Sequence, residues 1–553
     1  MRPRTGIAGF LTAVTVAGVL AAATTAAATT AAATTAAGAS TARPGDFDRG
    51  HLVPGDLLVS ESYYTNDPDI VAGQTVLPPG CTTGCATAVA NGDYPFVFNN
   101  DTVDGSFGVT SRLFLREITP WGDTRDVIRV PSSELVTSFS SKSEGALNLS
   151  TDGKYVTFID YVAPNDTVDV SNSNTPGVID PTNPVPGAYY RAVGQLSGNG
   201  KFSFTETNAY SGNNGRAAIE AKIDGKYFVY TAGNAGNGGN PQPDGIILGA
   251  GAQIITPSDQ PEADQTPGTP TPVGSFNITE LGQKADKIGK DDNFRGLTIY
   301  NNVLYYTKGS GGNGVDTVYF LDTTGTACPN GVGLPVPGAP LPTTGLSYDL
   351  ATLQANGLPS NMCVLKGFPT ALAKKATDAT GYPFGIWFAN PGTLYVADEG
   401  AGDNTFANGS YTAAAASASA GLQKWVYNAT DGQWEPAYTL QNGLNLGTPY
   451  TVPFYPTGIN SVTGLPWAPA TDGLRNLTGR VNRDGTVTIW AVTSTVSGGG
   501  DQGADPNQLV SVTDQLNATT LPAWESFQSV IHPRYDQVVR GVSLTPGTFD
   551  HDH

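Results

Sequence analysis

The sequence predicts an all-β protein, a six-bladed β-propeller closed by pairing strands from the two ends of the chain. Three observations carry this prediction. One short pattern recurs: SEGALNLSTDGKYVTF (143–158), RAAIEAKIDGKYFVY (216–230), RGLTIYNNVLYY (295–306), FGIWFANPGTLYV (384–396), RNLTGRVNRDGTVTIW (475–490) and RGVSLTPG (540–547). The last copy stops at its turn, and its missing half stands at the other end as VPGDLLVSESYY (53–64). Gly (68) and Pro (40) make up about a fifth of the 553 residues, which suits many short strands joined by turns.

Each copy opens on a marker residue, at Glu144, Arg216, Arg295, Phe384, Arg475 and Arg540, spaced 65 to 91 residues apart. Repeats of that length with several strands each are propeller blades carrying loop insertions. The marker begins an innermost strand. A two-residue turn follows (Asp152-Gly153, Asp224-Gly225, Asn301-Asn302, Pro391-Gly392, Asp484-Gly485), of the kind that supplies the positive φ of a tight hairpin. A second alternating strand leads into a Gly/Asp-rich loop. Third strands follow at RLFLREIT (112–119), TVYFLD (317–322), GLQKWVY (421–427) and QLVSVTD (508–514), and outer strands at SFNITEL (275–281) and WEPAYTL (434–440). The sixth blade takes its inner strand from Val538–Thr545 and the others from residues 56–131. Such closure removes an exposed sheet edge. The Pro-rich stretch 257–274 is read as a surface excursion, because the repeat continues across it.

Residues 1–23 read as a secretory signal, with Arg2 and Arg4 before an apolar run and small residues after it. An Ala/Thr-rich spacer, 24–50, follows. The propeller is expected over 51–547, with a flexible tail at 548–553. No other segment has the apolar length of a membrane span. The chain is thus expected to be secreted, without a membrane span once the signal is removed. The net charge of −19 argues against a nucleic-acid partner, which requires a basic surface. Four cysteines suit an exported chain, and loop closure favours the pairs Cys81–Cys85 and Cys328–Cys363. A CxxxC pair with two distant cysteines and no nearby histidine is poor zinc spacing.

Elimination narrows the chemistry. Of four histidines, His551 and His553 lie in the tail, so a Ser-His-Asp triad would need His51 or His532. The sequence contains no GxSxG elbow, Walker loop or HExxH. The constellation that remains is geometric. In antiparallel blades the marker residues crowd around one mouth of the central channel. Arg216, Arg295, Arg475 and Arg540, with Glu144, would draw an anion there, since guanidinium forks suit carboxylate and phosphate. The same arginines would lock the ring instead if each paired with a carbonyl or carboxylate of the next blade. Asp398, Glu399 and Asp403 in DEGAGDN are the best candidates for a calcium site. Trp387, Trp425 and Trp490 read as core, and Trp121 as exposed.

SEGALNLSTDGKYVTF, the Arg-Gly openers, LYVADEG followed by GLQKW, and GLRNLTG together resemble a group of exported bacterial six-bladed propeller proteins of unassigned activity. The resemblance spans most of 52–547 and implies the fold and export. LYVADEG and SEGALNLSTDG are also similar to segments of phytase-like and gluconolactonase-like propellers, some of them calcium-dependent hydrolases. The expected function is a non-catalytic extracellular binding or scaffold protein. Its partner would be a small anionic molecule, a glycan or an extracellular protein, held at the arginine mouth. The alternative is a calcium-dependent hydrolase of phosphoesterase or lactonase type with its site at that mouth.

Overall fold

The computed structural model describes residues 51–548 apart from 66–68, 72, 78–81, 83–84, 89–92, 97–107, 142, 181–182, 184, 235–250, 259–292, 311–313, 346–360, 374–380 and 500–501. The signal and spacer, Cys81, the outer strand at 275–281, most of the Pro-rich excursion and the tail beyond Thr548 therefore lie outside the described residues.

Six β-sheets form a six-bladed propeller. Strands are lettered A to D from the axis outward. Blade 1 comprises Asn148–Leu149, Tyr155–Tyr161, Arg191–Ser197 and Phe202–Thr207. Blade 2 shows three described strands, Gly215–Ile223, Lys226–Gly233 and Ala252–Ile255. Blade 3 runs Leu297–Tyr300, Val303–Lys308, Thr317–Leu321 and Met362–Leu365, with Val332–Gly333 added in parallel outside. Blade 4 is Pro383–Asn390, Thr393–Asp398, Gly421–Asn428 and Gln433–Leu440; blade 5 is Ala470–Val481, Thr486–Val496, Leu509–Gln515 and Gln528–Ile531. Blade 6 pairs Gln537–Leu544 with Leu57–Tyr63, followed by Thr110–Ile118 and Thr124–Arg129.

The closing pair is antiparallel, from Leu57 opposite Leu544 to Tyr63 opposite Gln537, with a bulge between Ser60 and Glu61. Behind it, Arg116 on strand C of blade 6 meets Glu61 at 2.7 Å, both nearly buried. Two of the five hairpin turns, Asp224-Gly225 and Asn301-Asn302, have positive φ at both centres, the geometry that matches strand twist. Blade 3 carries the expected Cys328–Cys363 disulfide, with Cα atoms 5.9 Å apart. It fastens strand D to the loop before it.

Apolar side chains fill the spaces between neighbouring sheets. Leu422, Leu440, Leu474, Ile489 and Phe527 pack between blades 4 and 5, and Leu57, Val59, Trp490, Val492 and Val542 between blades 5 and 6. Alternation along each strand gives each blade two buried faces. Trp425 and Trp490 are core, as expected, and Trp121 is 82% exposed.

The glycine that follows the marker has a packing reason. A Cβ on Gly296 would lie 2.2 Å from the Phe384 carbonyl oxygen, one on Gly385 2.4 Å from that of Arg475, and one on Gly541 2.6 Å from that of Gly145. Each of these glycines lets its inner strand approach the marker segment of the following blade. Part of the repeated signature thus belongs to ring geometry.

Candidate functional site

The marker residues converge at one mouth of the channel, but their side chains do different things. Arg540 is a lock. Its guanidinium donates to the carbonyls of Ser138 (3.1 Å), Phe139 and Ser141, and Nε donates to the Ser62 hydroxyl at 2.9 Å. Those acceptors join blade 6 to the segment leading into blade 1. Arg216 reaches toward blade 3, where it donates to the side-chain oxygen of Asn293 and, at 2.8 Å, to the carbonyl of Phe294. Phe384 is buried.

Arg295 and Arg475 share one carboxylate. Glu399, at the end of strand B in blade 4, lies 3.3 Å from Arg475 Nε and 3.7 Å from Arg295 Nε. The second distance is too long for a hydrogen bond, and Arg295 Nε has no hydrogen-bond partner among the described residues. The terminal nitrogens of Arg295 donate to the hydroxyls of Ser143 and Ser310. Among the described residues Arg475 makes one side-chain hydrogen bond, through Nε, so both of its terminal amino groups keep their donor capacity. Burial pushes Arg216 and Arg475 below the ordinary guanidinium value, and the like charge of Arg295 lowers each of them further.

Glu144 faces this group from blade 1. It accepts from the Tyr161 hydroxyl and from its neighbour's backbone N–H, Ser143 N, at 3.3 Å. Beneath it Arg191, fully buried, stacks over the Tyr161 ring at 5.2 Å and donates to the carbonyls of Ser171, Ser173, Tyr189 and Asn213. Blade 3 contributes a self-contained pair, Lys308–Asp316 at 2.7 Å.

The three acids expected to hold calcium are each engaged by protein donors. Buried Asp398 accepts from Tyr382 N (2.8 Å), Gln423 Nε2 (2.9 Å) and Gly400 N (3.0 Å). Glu399 serves the two arginines. Exposed Asp403 caps the turn at Thr405, whose N–H and hydroxyl hold it below the usual carboxylate range. Among the described residues, the His/Cys/Asp/Glu group whose ligand atoms lie within 4.8 Å of one another is Asp322, Cys328 and Cys363. The two cysteines of that group are already bonded to each other. The hydrogen-bond partner of the His532 ring among the described residues is the Ser529 hydroxyl, at 3.2 Å on an outer strand, and no carboxylate completes a triad there among them.

Sequence reasoning did not single out Asp472, Tyr161, Arg191 or Tyr382. Asp472 stands three residues before the Arg475 marker, on an inner strand that begins earlier than the repeat suggests. It accepts from Gly402 N at 2.7 Å. Burial raises it to about 7 and raises Asp398 to about 6, against an ordinary 3.8. Between those values the folded chain holds protons that the unfolded chain has released. The stability tied to these groups is therefore complete at low pH and declines as pH climbs from about 4 to about 7. We expect a higher Tm near pH 5 than near pH 8, and a smaller difference in Asp472→Asn. Equal pH slopes in the two proteins, measured by calorimetry, would contradict that assignment.

No family model and no curated protein matches the chain. Solved structures that resemble it include an ulvan lyase (12% identity, TM-score 0.29, covering 89% of this chain and 96% of that one). An α-L-arabinofuranosidase from Fusarium graminearum shows 11% identity and a TM-score of 0.32, over 75% of this chain and 95% of that one. An endo-arabinase from Bacteroides thetaiotaomicron shows 11% identity and a TM-score of 0.24, over 75% and 99%. Likenesses this distant decide nothing about this chain.

Proposed function

We propose that the chain is an exported propeller that binds an anionic ligand, a carboxylate-bearing glycan or small molecule, at the arginine mouth. The supporting observation is the unequal use of the arginines. Arg540 spends its donors on four protein oxygens, whereas Arg475 keeps both terminal amino groups and shares one carboxylate with Arg295. A guanidinium held only for ring closure would be saturated, as Arg540 is. Arg216, Arg295 and Arg475 stand with Glu144 and Glu399, and Asp398 and Asp472 lie beside Glu399, so the net charge at this mouth depends on pH. A ligand carboxylate would meet the terminal amino groups of Arg475 beside Arg295, whose own fork is held by the hydroxyls of Ser143 and Ser310. Protonation of Asp472 and Asp398 leaves the arginines in excess, so anion binding should tighten as pH falls toward 6.

The calcium-dependent hydrolase draws no support from this geometry, because Asp398, Glu399 and Asp403 are held apart by separate sets of donors. No helix among the described residues is long and apolar enough to cross a membrane.

The test is titration calorimetry with oligogalacturonate as probe. The variant Arg475→Ala is expected to weaken binding by about tenfold or more, a charge-assisted contact being lost, while Tm changes little because Glu399 keeps Arg295. Unfolding of that variant, or affinity equal to the parent protein's, would favour a ring-locking role.

A further inference from the structure

The channel has a second end. Opposite the arginine mouth, where the A–B hairpins turn, all six inner strands border a cavity of about 280 Å³ that opens to solvent. Its neck is narrow, walled by Ala146, Ala217, Gly296 and Gly385.

The wall chemistry differs from that of the arginine mouth. Among the described residues no Lys or Arg lines the cavity, and the one charged group is Asp152. Apolar surface comes from Leu149, Ile299 and Ile386, with Trp387 and with Tyr300 stacked at 4.6 Å on Phe388. Trp387, expected to be core, is only half-buried. A Cβ on Gly479 would sit 2.8 Å from its six-membered ring, so the indole lies against bare backbone of the next blade. Its Nε1 makes no hydrogen bond among the described residues, and neither do the hydroxyls of Thr151, Thr298 and Thr478 on the same wall. These are groups that bind water unless a ligand replaces it.

An apolar ligand would leave those donors unmet, and a charged one would find no counter-charge suited to an anion. A ring with apolar C–H faces and hydroxyl edges satisfies both surfaces at once. We infer that this end is a second binding site, for a neutral saccharide unit stacked on Trp387 with its hydroxyls on the threonine rim. It stands independently of the arginine mouth.

The test uses the whole chain with xylohexaose, cellohexaose and arabinohexaose as probes, read by calorimetry and intrinsic tryptophan fluorescence. At least one probe should bind and perturb the fluorescence. Trp387→Ala should weaken it at least tenfold. Thr298→Tyr, which fills the cavity from a half-buried position, should do the same and serves if Trp387→Ala fails to fold. Arg475→Ala should leave the affinity unchanged. The site is overturned if none of the three probes binds at millimolar concentration, or if Thr298→Tyr binds like the parent. Competition by oligogalacturonate for the same site would overturn it as well, since the two ends would then be one site.

Discussion

Replacing Lys424 with methionine is expected to destabilise the fold by about 3–5 kcal/mol, the usual consequence of leaving one partner of a buried ion pair uncompensated. Lys424 and Asp514 join blades 4 and 5 at 2.8 Å, both side chains with 0% exposure. The ammonium is fully used: it also donates to the Tyr438 hydroxyl at 2.9 Å and the Gln515 carbonyl at 2.7 Å. Asp514 accepts from the hydroxyls of Tyr395 and Tyr438 as well. Without the cation, its charge would remain among apolar residues of the inter-blade core. The double variant Lys424→Met/Asp514→Asn should recover more than half of the loss, because the orphaned charge goes with it. Urea unfolding measures both. A single-variant loss under about 1 kcal/mol would mean that hydrophobic packing alone holds these blades together.

Arg540→Ala should be nearly as damaging, at about 3 kcal/mol or more, since it strips a donor from three carbonyls and a hydroxyl of buried residues. The contrast with Arg475→Ala is the sharper expectation. That change removes one hydrogen bond and leaves Glu399 beside Arg295, so its effect on Tm should be small. Limited proteolysis should nick Arg540→Ala first near the closing strands Leu57–Tyr63 and Gln537–Leu544. Equal melting temperatures for the two variants would remove the distinction between lock and ligand site.

Much of the fold was legible because hairpin turns and period-two alternation are local signals. The split copy, RGVSLTPG at one end and VPGDLLVSESYY at the other, even exposed the closure. What separates Arg540 from Arg475 was not legible, because both open a strand in the same motif. Their difference lies in partners distant in sequence, three carbonyls 399 to 402 residues away for one and Glu399, 76 residues away, for the other. Trp387 was misread for a related reason. Alternation on an ordinary strand means packing between sheets, but an inner strand has the channel beside it. Asp472 carried a faint signal, since an acid just upstream of an inner-strand arginine shares its mouth. Its burial depends on the loop 399–402 folding over it.

The pairing of Leu57 with Leu544 has a consequence in time. At ribosomal rates of about 5–20 residues per second, strand B of blade 6 waits roughly half a minute to a minute and a half for its inner partner. Until then, its backbone on that side is a bare template for any passing strand. A chain interrupted anywhere before residue 537 is therefore an open ring with a sticky edge. Cells making this protein would be expected to guard that interval with holding factors or rapid degradation of unfinished chains.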